Sequence, residues 1–289
     1  MTQPKAWDHI FEDGFYARTH KPRTVGLNMV IDKHLGIRAM ADLLELAGDS
    51  IDQIKFAFGT SIALNETTVR SKIEMIRAQG IDVYPGGTLC EAAIVRGVVP
   101  QFIARSRELG FSAVEVSDGT ITLSPEARCD VISRALDAGL KVISEVGKKD
   151  PRHQLAIDRM QAEVAADLAI GASYVIIEAR ESGKGVGIYD ATGAVNQTEL
   201  DALVAGFEHL DRIIWEAPET SQQAFLLNRF GLNVNLGNIQ PNEVLALEAL
   251  RSGLRFETLR LVAAERERAE QRDDFFARFI AAASSSIGR

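Results

Sequence analysis

The chain predicts a single-domain α/β protein, a (β/α)8 TIM barrel with N- and C-terminal extensions, and three features lead there. Eight short runs rich in Val, Ile and aromatics recur, each followed by a helix-like stretch. Their starts lie roughly 20–40 residues apart, the length of a strand plus a crossover helix. Neither GxGxxG nor GxxxxGK[ST] occurs, which disfavours the rival, an open doubly wound sheet with an early Gly-rich nucleotide turn.

In order, the strand runs are TVGLNMVID from Thr24, DQIKFAF from Asp52, IDVYPGG from Ile81 and SAVEVSDG from Ser112. They continue with KVISEVG from Lys141, SYVIIEA from Ser173, RIIWEAP from Arg212 and NVNLG from Asn233. Runs this apolar suit parallel strands covered on both faces. Between them, Ala39–Leu46 carries a helical stripe with Gly48 as a stop, and Ser124-Pro125-Glu126 sets a hydroxyl cap before proline. A helix over Asp158–Ile170 closes at Gly171, Thr198 is the expected cap of a segment through Phe207, and Pro241 opens Glu243–Arg251 before Gly253. Residues 1–20 read as an N-terminal extension, 21–258 as the barrel and 259–289 as a C-terminal helical tail. The tail's ERERAEQRDD run suits a solvated helix or a contact in a homo-oligomer.

With 289 residues, 46% of them hydrophobic and 25% charged, the chain can bury a sizeable core. A net charge of −8 argues against general nucleic-acid or anionic-membrane binding. Two cysteines, Cys90 and Cys129, cannot build a disulfide framework, and no run approaches a membrane span. A cytoplasmic protein is the expectation. Five scattered histidines without HxH or HExxH spacing disfavour zinc.

Active-site groups of such a barrel sit at the C-terminal strand ends. Four successive strands there repeat an apolar run followed by Glu: VEV, SEV, IEA and WEA, with Glu115, Glu145, Glu178 and Glu216. Carboxylates on apolar strands are costly unless paired or metal-bound, and a shared inward parity would ring them around one mouth. That set suits a divalent metal with oxygen ligands, Mg2+ foremost. The alternative for each glutamate is a partner Lys or Arg. Lys33, Lys55, Lys148, Lys149, Arg180 and Lys184 gather near the same ends and point to a small anion. Turns at Gly86-Gly87 and Gly237-Asn238 can offer backbone N–H groups to phosphate. Period-2 geometry favours Lys149 over Lys148: with Glu145 inward, Gly147 and Lys149 share its parity. A Schiff-base lysine is the other use for such a group, but strand 6 carries Glu178 and Arg180 instead.

Ordered strings also carry a family resemblance. They are KPR (21–23), Asp32-Lys33, KFAFGTS (55–61), YPGGTL (84–89), VEVSDGTI (114–121) and SEVGKKDP (144–151). VIIEARESGKGVGIYD (175–190), IIWEAPETSQQ (213–223), NVNLGNI (233–239) and ALEALRSGLR (246–255) complete the set. In these the chain resembles the phosphosulfolactate synthase family, the first enzyme of a coenzyme M route. The resemblance implies a carbon–sulfur lyase of barrel fold that adds sulfite to phosphoenolpyruvate with Mg2+, giving 2-phospho-3-sulfolactate. It also implies that the proton donor is the second lysine of EVGKK, here Lys149, with Lys148 beside it.

Arg180 is the expected clamp for phosphate or sulfite, Lys33 and Lys55 neutralise remaining substrate charge, and Asn235, Gly237 and Asn238 are phosphate-site candidates. Lys148 and other cations are expected to lower the Lys149 pKa, with glutamates opposing. Two departures from the family pattern are His34, where members usually carry Gly and which would narrow the mouth, and Arg255-Phe256-Glu257-Thr258 in place of RGDT. The fold family also includes stress-associated plant relatives whose activity the resemblance does not imply, so a non-enzymatic stress-associated homologue on the same barrel is one alternative and another phosphoenolpyruvate- or sugar-phosphate-using barrel enzyme is the other.

Overall fold

The computed structural model describes residues 18–260, together with Ala6, Trp7, Ile10 and Ala263. Most of the N-terminal extension and of the helical tail therefore lies outside the described residues. Eight parallel strands run β1 (Asn28–Asp32), β2 (Gln53–Phe56), β3 (Asp82–Pro85), β4 (Ala113–Ser117), β5 (Lys141–Val146), β6 (Tyr174–Ile177), β7 (Ile213–Glu216) and β8 (Asn235–Ile239). The helices are α1 (Ile37–Ala47), α2 (Glu66–Ala78), α3 (Gly87–Val95), α4 (Val99–Leu109), α5 (Pro125–Asp137), α6 (Ile157–Ile170), α7 (Gln197–Val204), α8 (Thr220–Phe230) and α9 (Val244–Arg251).

Strand order β3-β2-β1-β8-β7-β6-β5-β4 makes a nearly closed barrel. The seam between β3 and β4 is carried at its lower end by Ser112 N–H donating to the Val83 carbonyl at 3.1 Å. All eight expected strands form, β1 to β7 shorter than their apolar runs and β8 shifted two residues along its run to end at Ile239.

Strand alternation sorts the core into two shells. Outward residues such as Val30, Ile54, Phe56, Val175, Ile213 and Trp215 pack under the helices in the main hydrophobic cluster. Trp215 stacks on Phe230 of α8, with ring centroids 5.5 Å apart. Inward residues Met29, Tyr84, Ala113, Ile143, Ile176 and Ile214 fill the middle of the barrel. Gly237 belongs to this filling, because a Cβ there would meet Met29 Cε at 2.6 Å. The barrel is thus plugged below the mouth, and inward positions one step further along the strands are left to polar groups.

Local signals explain most helix ends. Ser124 accepts from Ala127 N–H at the start of α5, and Gly171 closes α6 with φ +122°. Asn196, not Thr198, caps α7 by accepting from Glu199 N–H, since the helix starts one turn-position earlier than its threonine suggests. Among the described residues no helix is long and apolar enough to cross a membrane.

A buried guanidinium ties α9 to β1. Arg251 of α9 is fully buried and donates to Asn28 Oδ1 at 3.0 Å and to the carbonyls of Leu232 and Leu27 at 2.5 and 3.2 Å. Removing it strands three buried acceptors and opens a cavity. Arg251→Ala is expected to lower unfolding free energy by roughly 3–4 kcal/mol, read as a shifted urea midpoint at unchanged slope. A loss under about 1 kcal/mol would show that water replaces the guanidinium.

Candidate active site

The C-terminal mouth encloses a cavity of about 500 Å³ lined by Lys55, Glu115, Glu145, Lys149, Glu178, Arg180, Glu216 and Asn238, among others. Lys55, Glu115, Glu145 and Glu216 lie on β2, β4, β5 and β7, and Glu178 follows β6 directly. The two ammonium groups divide the carboxylates. Lys55 Nζ lies 3.0 Å from Glu216, 3.3 Å from Glu115 and 3.7 Å from Glu145. Lys149 Nζ lies 3.2 Å from Glu145 and 3.5 Å from both Glu91 and Glu178. Glu145 therefore sits between both lysines.

Backbone and hydroxyl donors fix the carboxylates further. Gly87 N–H donates to Glu115 at 2.6 Å, Ala179 N–H to Glu216 at 2.9 Å, and Arg180 N–H to Glu178 at 2.5 Å. Ser117 Oγ is within hydrogen-bond distance of Glu145 (2.9 Å) and Glu91 (3.0 Å). Glu115 Oε2 and Glu178 Oε2 face only ammonium groups, Lys55 at 3.3 Å and Lys149 at 3.5 Å, and Asn238 Oδ1 is buried without a hydrogen-bond partner. Oxygens of Glu145, Glu178 and Glu216 converge within 4.8 Å of one another. An all-oxygen set of three buried carboxyl groups fits a hard divalent cation such as Mg2+. Glu115 stands outside that trio, held by Gly87 and Lys55.

Protonation follows the same geometry. Burial pushes Glu115 up to about 7, against the pull of Lys55 and with repulsion from Glu145. Burial, then Glu145 and Glu216, push Glu178 well above the carboxylate range. Burial works the same way on Glu145, but Lys149 and Lys55 overcome it and hold this carboxyl below its usual range. Burial alone would lower Lys149, yet Glu145, Glu178, Glu91 and Glu115 raise it. The sequence expectation of a lowered Lys149 is corrected here, because Lys148 turns away from it.

Lys148 is buried on the other face, bonded to Asp118 at 2.8 Å and to the carbonyls of Asp118 and Ile121 at 2.6 and 2.9 Å. Asp118 also meets Arg128 at 3.2 Å, and Arg128 is held by Asp167 at 2.6 Å. Lys148 thus clamps the loop after β4 and does not line the cavity.

Other sequence candidates separate by position. Asn235 is at the opposite end of the barrel: it opens β8, accepts from Leu27 N–H at 3.0 Å and donates to Asp211 and Ile213 carbonyls at 2.8 and 3.0 Å. It is removed from the mouth because its strand begins there. Gly86 and Gly87 line the cavity, but Gly86 N–H donates to the Phe56 carbonyl at 2.9 Å and Gly87 N–H to Glu115. Their amides therefore brace the site and do not cradle phosphate.

Gly237 packs inside the barrel, whereas Asn238 reaches the cavity. Lys33 pairs with Glu181 at the rim (3.3 Å) and Lys184 with Glu219 (3.1 Å), both off the lining. His34 is exposed and off the lining, so it does not narrow the mouth. Asp32 bonds Lys72 and caps the next turn through His34 and Leu35 N–H. Glu91 was not anticipated; its one sequence signal is a carboxylate inside the apolar helix segment TLCEAAIV.

The family model for (2R)-phospho-3-sulfolactate synthase matches residues 16–257. The chain belongs to the phosphosulfolactate synthase family. It is 44% identical over 245 residues to the phosphosulfolactate synthase of Methanothermobacter thermautotrophicus, spanning 84% of this chain and 94% of that one. Identity to the Methanocaldococcus jannaschii phosphosulfolactate synthase is also 44%, over 256 residues, 88% of this chain and 98% of that one. Among solved structures, KGPDC from Streptococcus mutans matches at TM-score 0.52 and 12% identity, over 81% of this chain and 98% of that one, a likeness of fold alone.

The family's barrel thus holds five buried carboxylates around two ammonium groups in this member. Because Glu115 binds its proton more readily when folded than at its ordinary value near 4.3, its contribution to stability falls as pH rises from there to about 7. Glu115→Gln keeps the acceptor for Gly87 and removes that term. In metal-free buffer the variant's urea midpoint should gain on wild type steadily between pH 4.5 and 7, and a pH-independent difference would refute the assignment.

Proposed function

We propose that this chain is a carbon–sulfur lyase that adds sulfite to C3 of phosphoenolpyruvate, with Mg2+, to give 2-phospho-3-sulfolactate. The observation that carries this reading is the Lys149 ammonium, which faces the Glu145 and Glu178 carboxylates within the mouth. Family membership supports the same chemistry.

Both substrates are anions, and the mouth sets five carboxyl groups against Lys55, Lys149 and Arg180, so a bound cation would favour their entry. Glu145, Glu178 and Glu216 would hold the cation. When bound, Mg2+ supplies Lewis-acid stabilisation of negative charge on the substrate's carboxylate and phosphate. Arg180 lines the cavity, and among the described residues no carboxylate pairs with its guanidinium. Its planar fork is free to take an oxyanion of phosphate or sulfite. Lys55 is engaged by Glu115, Glu145 and Glu216 and acts by holding those groups in register.

Sulfite sulfur bonds to C3 as the C2–C3 π pair shifts toward the carboxylate, leaving an enediolate. A proton then returns to C2, and Lys149 Nζ is the donor. The surrounding glutamates keep it protonated, as a general acid must be before it acts. The same charge makes it a poor Schiff-base nucleophile, since imine formation needs the free amine. Lys148 is a positioning residue here, holding the loop after β4 beside its neighbour. We further place the chain in the cytoplasm as a homo-oligomer, with no nucleic-acid or membrane partner.

Phosphorus NMR of phosphoenolpyruvate gives the direct test. A new phosphate-ester signal should require sulfite and Mg2+ together, vanish with EDTA and return with excess Mg2+. Undiminished turnover in EDTA would sink the metal role, and no turnover under any condition would sink the reaction.

Lys149→Ala should lose about 10²–10⁴ in kcat with a smaller change in KM, as removal of a general acid does. Lys148→Ala should act through loop order, raising KM more than it lowers kcat. Near-normal turnover of Lys149→Ala alongside an inactive Lys148→Ala would reverse the two roles.

A further inference from the structure

Among the described residues, three that are not glycine have left-handed backbone: Phe58 (φ +54°), Arg180 (φ +62°) and Asn238 (φ +56°). All three line the one cavity at the barrel mouth. Strained backbone concentrated at one site is the mark of side chains held there for function. Asn238 tolerates this conformation through its short polar side chain, whereas a bulky aromatic does not. Arg180 and Asn238 have polar work to do in the mouth. Phe58 does not: it carries an apolar ring that remains 52% exposed and so gains little from burial.

Its position suggests what the ring meets. Phe58 follows β2, which lies opposite β6 in an eight-stranded barrel, and Glu178 follows β6. Glu145, Glu178 and Glu216 thus occupy the β5–β7 side of the mouth, while Ile31, Ala57 and Phe58 give the β1–β2 side its apolar part, beside Lys55, whose ammonium reaches across to the glutamates. Phosphoenolpyruvate has one apolar end, the C3 methylene, with phosphate and carboxylate at the other carbons.

Resting on the proposed reaction, we propose that Phe58 is a specificity-determining residue that walls the C3 end of the substrate and sets the size of group that C3 can carry. The anionic groups then face the cations and carboxylates across the mouth, and the ring excludes a substituent on the methylene. The left-handed turn at Phe58 and Gly59 is what brings the ring over the cavity from the end of β2.

The test compares phosphoenolpyruvate with its 3-methyl analogue, each with sulfite, in wild type, Phe58→Ala and Phe58→Gly. The glycine variant is natural to the backbone at this position, so it keeps its Tm within a few degrees of wild type or exceeds it. In both variants the ratio of kcat/KM for the methyl analogue to that for phosphoenolpyruvate should rise at least tenfold, as one accommodated methyl group typically does. An unchanged ratio in folded, active variants overturns the assignment of Phe58 alone. A large fall in Tm for the glycine variant also overturns it, because the ring would then be structural. Wild type inactive with phosphoenolpyruvate and sulfite overturns the reaction and this inference together.

Discussion

Everything at the mouth depends on one carboxylate shared by two ammonium groups. Glu145 lies between Lys55 and Lys149, and a buried carboxylate in that place is stable as an anion only while both lysines stay charged. Each lysine in turn needs its other carboxylates, Glu115 and Glu216 on one side, Glu91 and Glu178 on the other. The result is a chain of mutual compensation that crosses the barrel from β2 to β7. Removing one member shifts the charge balance of every neighbour it faced, so the site is coupled in charge as well as in position.

Such a network needs rigid supports, and the barrel supplies them at two levels. Beneath it, Met29, Tyr84, Ile143, Ile176 and Ile214 form a plug that keeps the strand ends at fixed separations. Beside it, Lys148, Asp118, Arg128 and Asp167 form a second buried charge chain under the loop after β4. The adjacent lysines of the EVGKK string therefore serve the two chains separately. Residue 148 closes the structural one and residue 149 enters the open one, because Gly147 leaves β5 with φ +129° and sends them to opposite faces.

Much of this was legible in the sequence where the cause is periodic. Strand alternation put Glu115, Glu145, Glu178 and Glu216 at one mouth, and its continuation past Gly147 favoured Lys149 over Lys148, although β5 itself ends at Val146. What remained hidden has tertiary causes. Asn235 stood close to a strand end in the apolar run, but hydrogen bonding starts β8 at that residue and so makes it a base residue. Gly86-Gly87 read as a phosphate turn, because no local signal reports that Glu115, 28 positions away in the chain, takes the Gly87 N–H. Lys33 and Lys184 counted as site cations until their partners, Glu181 and Glu219, were in view. Glu91 comes from a helix, where period-2 reasoning does not apply.

The two shells of the barrel explain how one small domain carries such an unfavourable site. Left-handed residues at the mouth cost on the order of 1–3 kcal/mol each, and five carboxyl groups buried together add a desolvation cost. A folded domain survives that only if the rest of the chain obeys local preference closely. Here the outward strand positions are mostly aliphatic or aromatic, and the starts of α2, α5, α7 and α8 are capped by Asn65, Ser124, Asn196 and Glu219. The departures from local rules collect at the C-terminal mouth. Clustered buried carboxyl groups, the unpartnered Asn238 Oδ1 and strained backbone coincide there, while the base has Asn235 and Arg251 with their donors matched to acceptors. That asymmetry between a satisfied base and an unsatisfied mouth is the physical form of a binding site: the groups left wanting in the folded chain are those a bound cation and bound anions would complete.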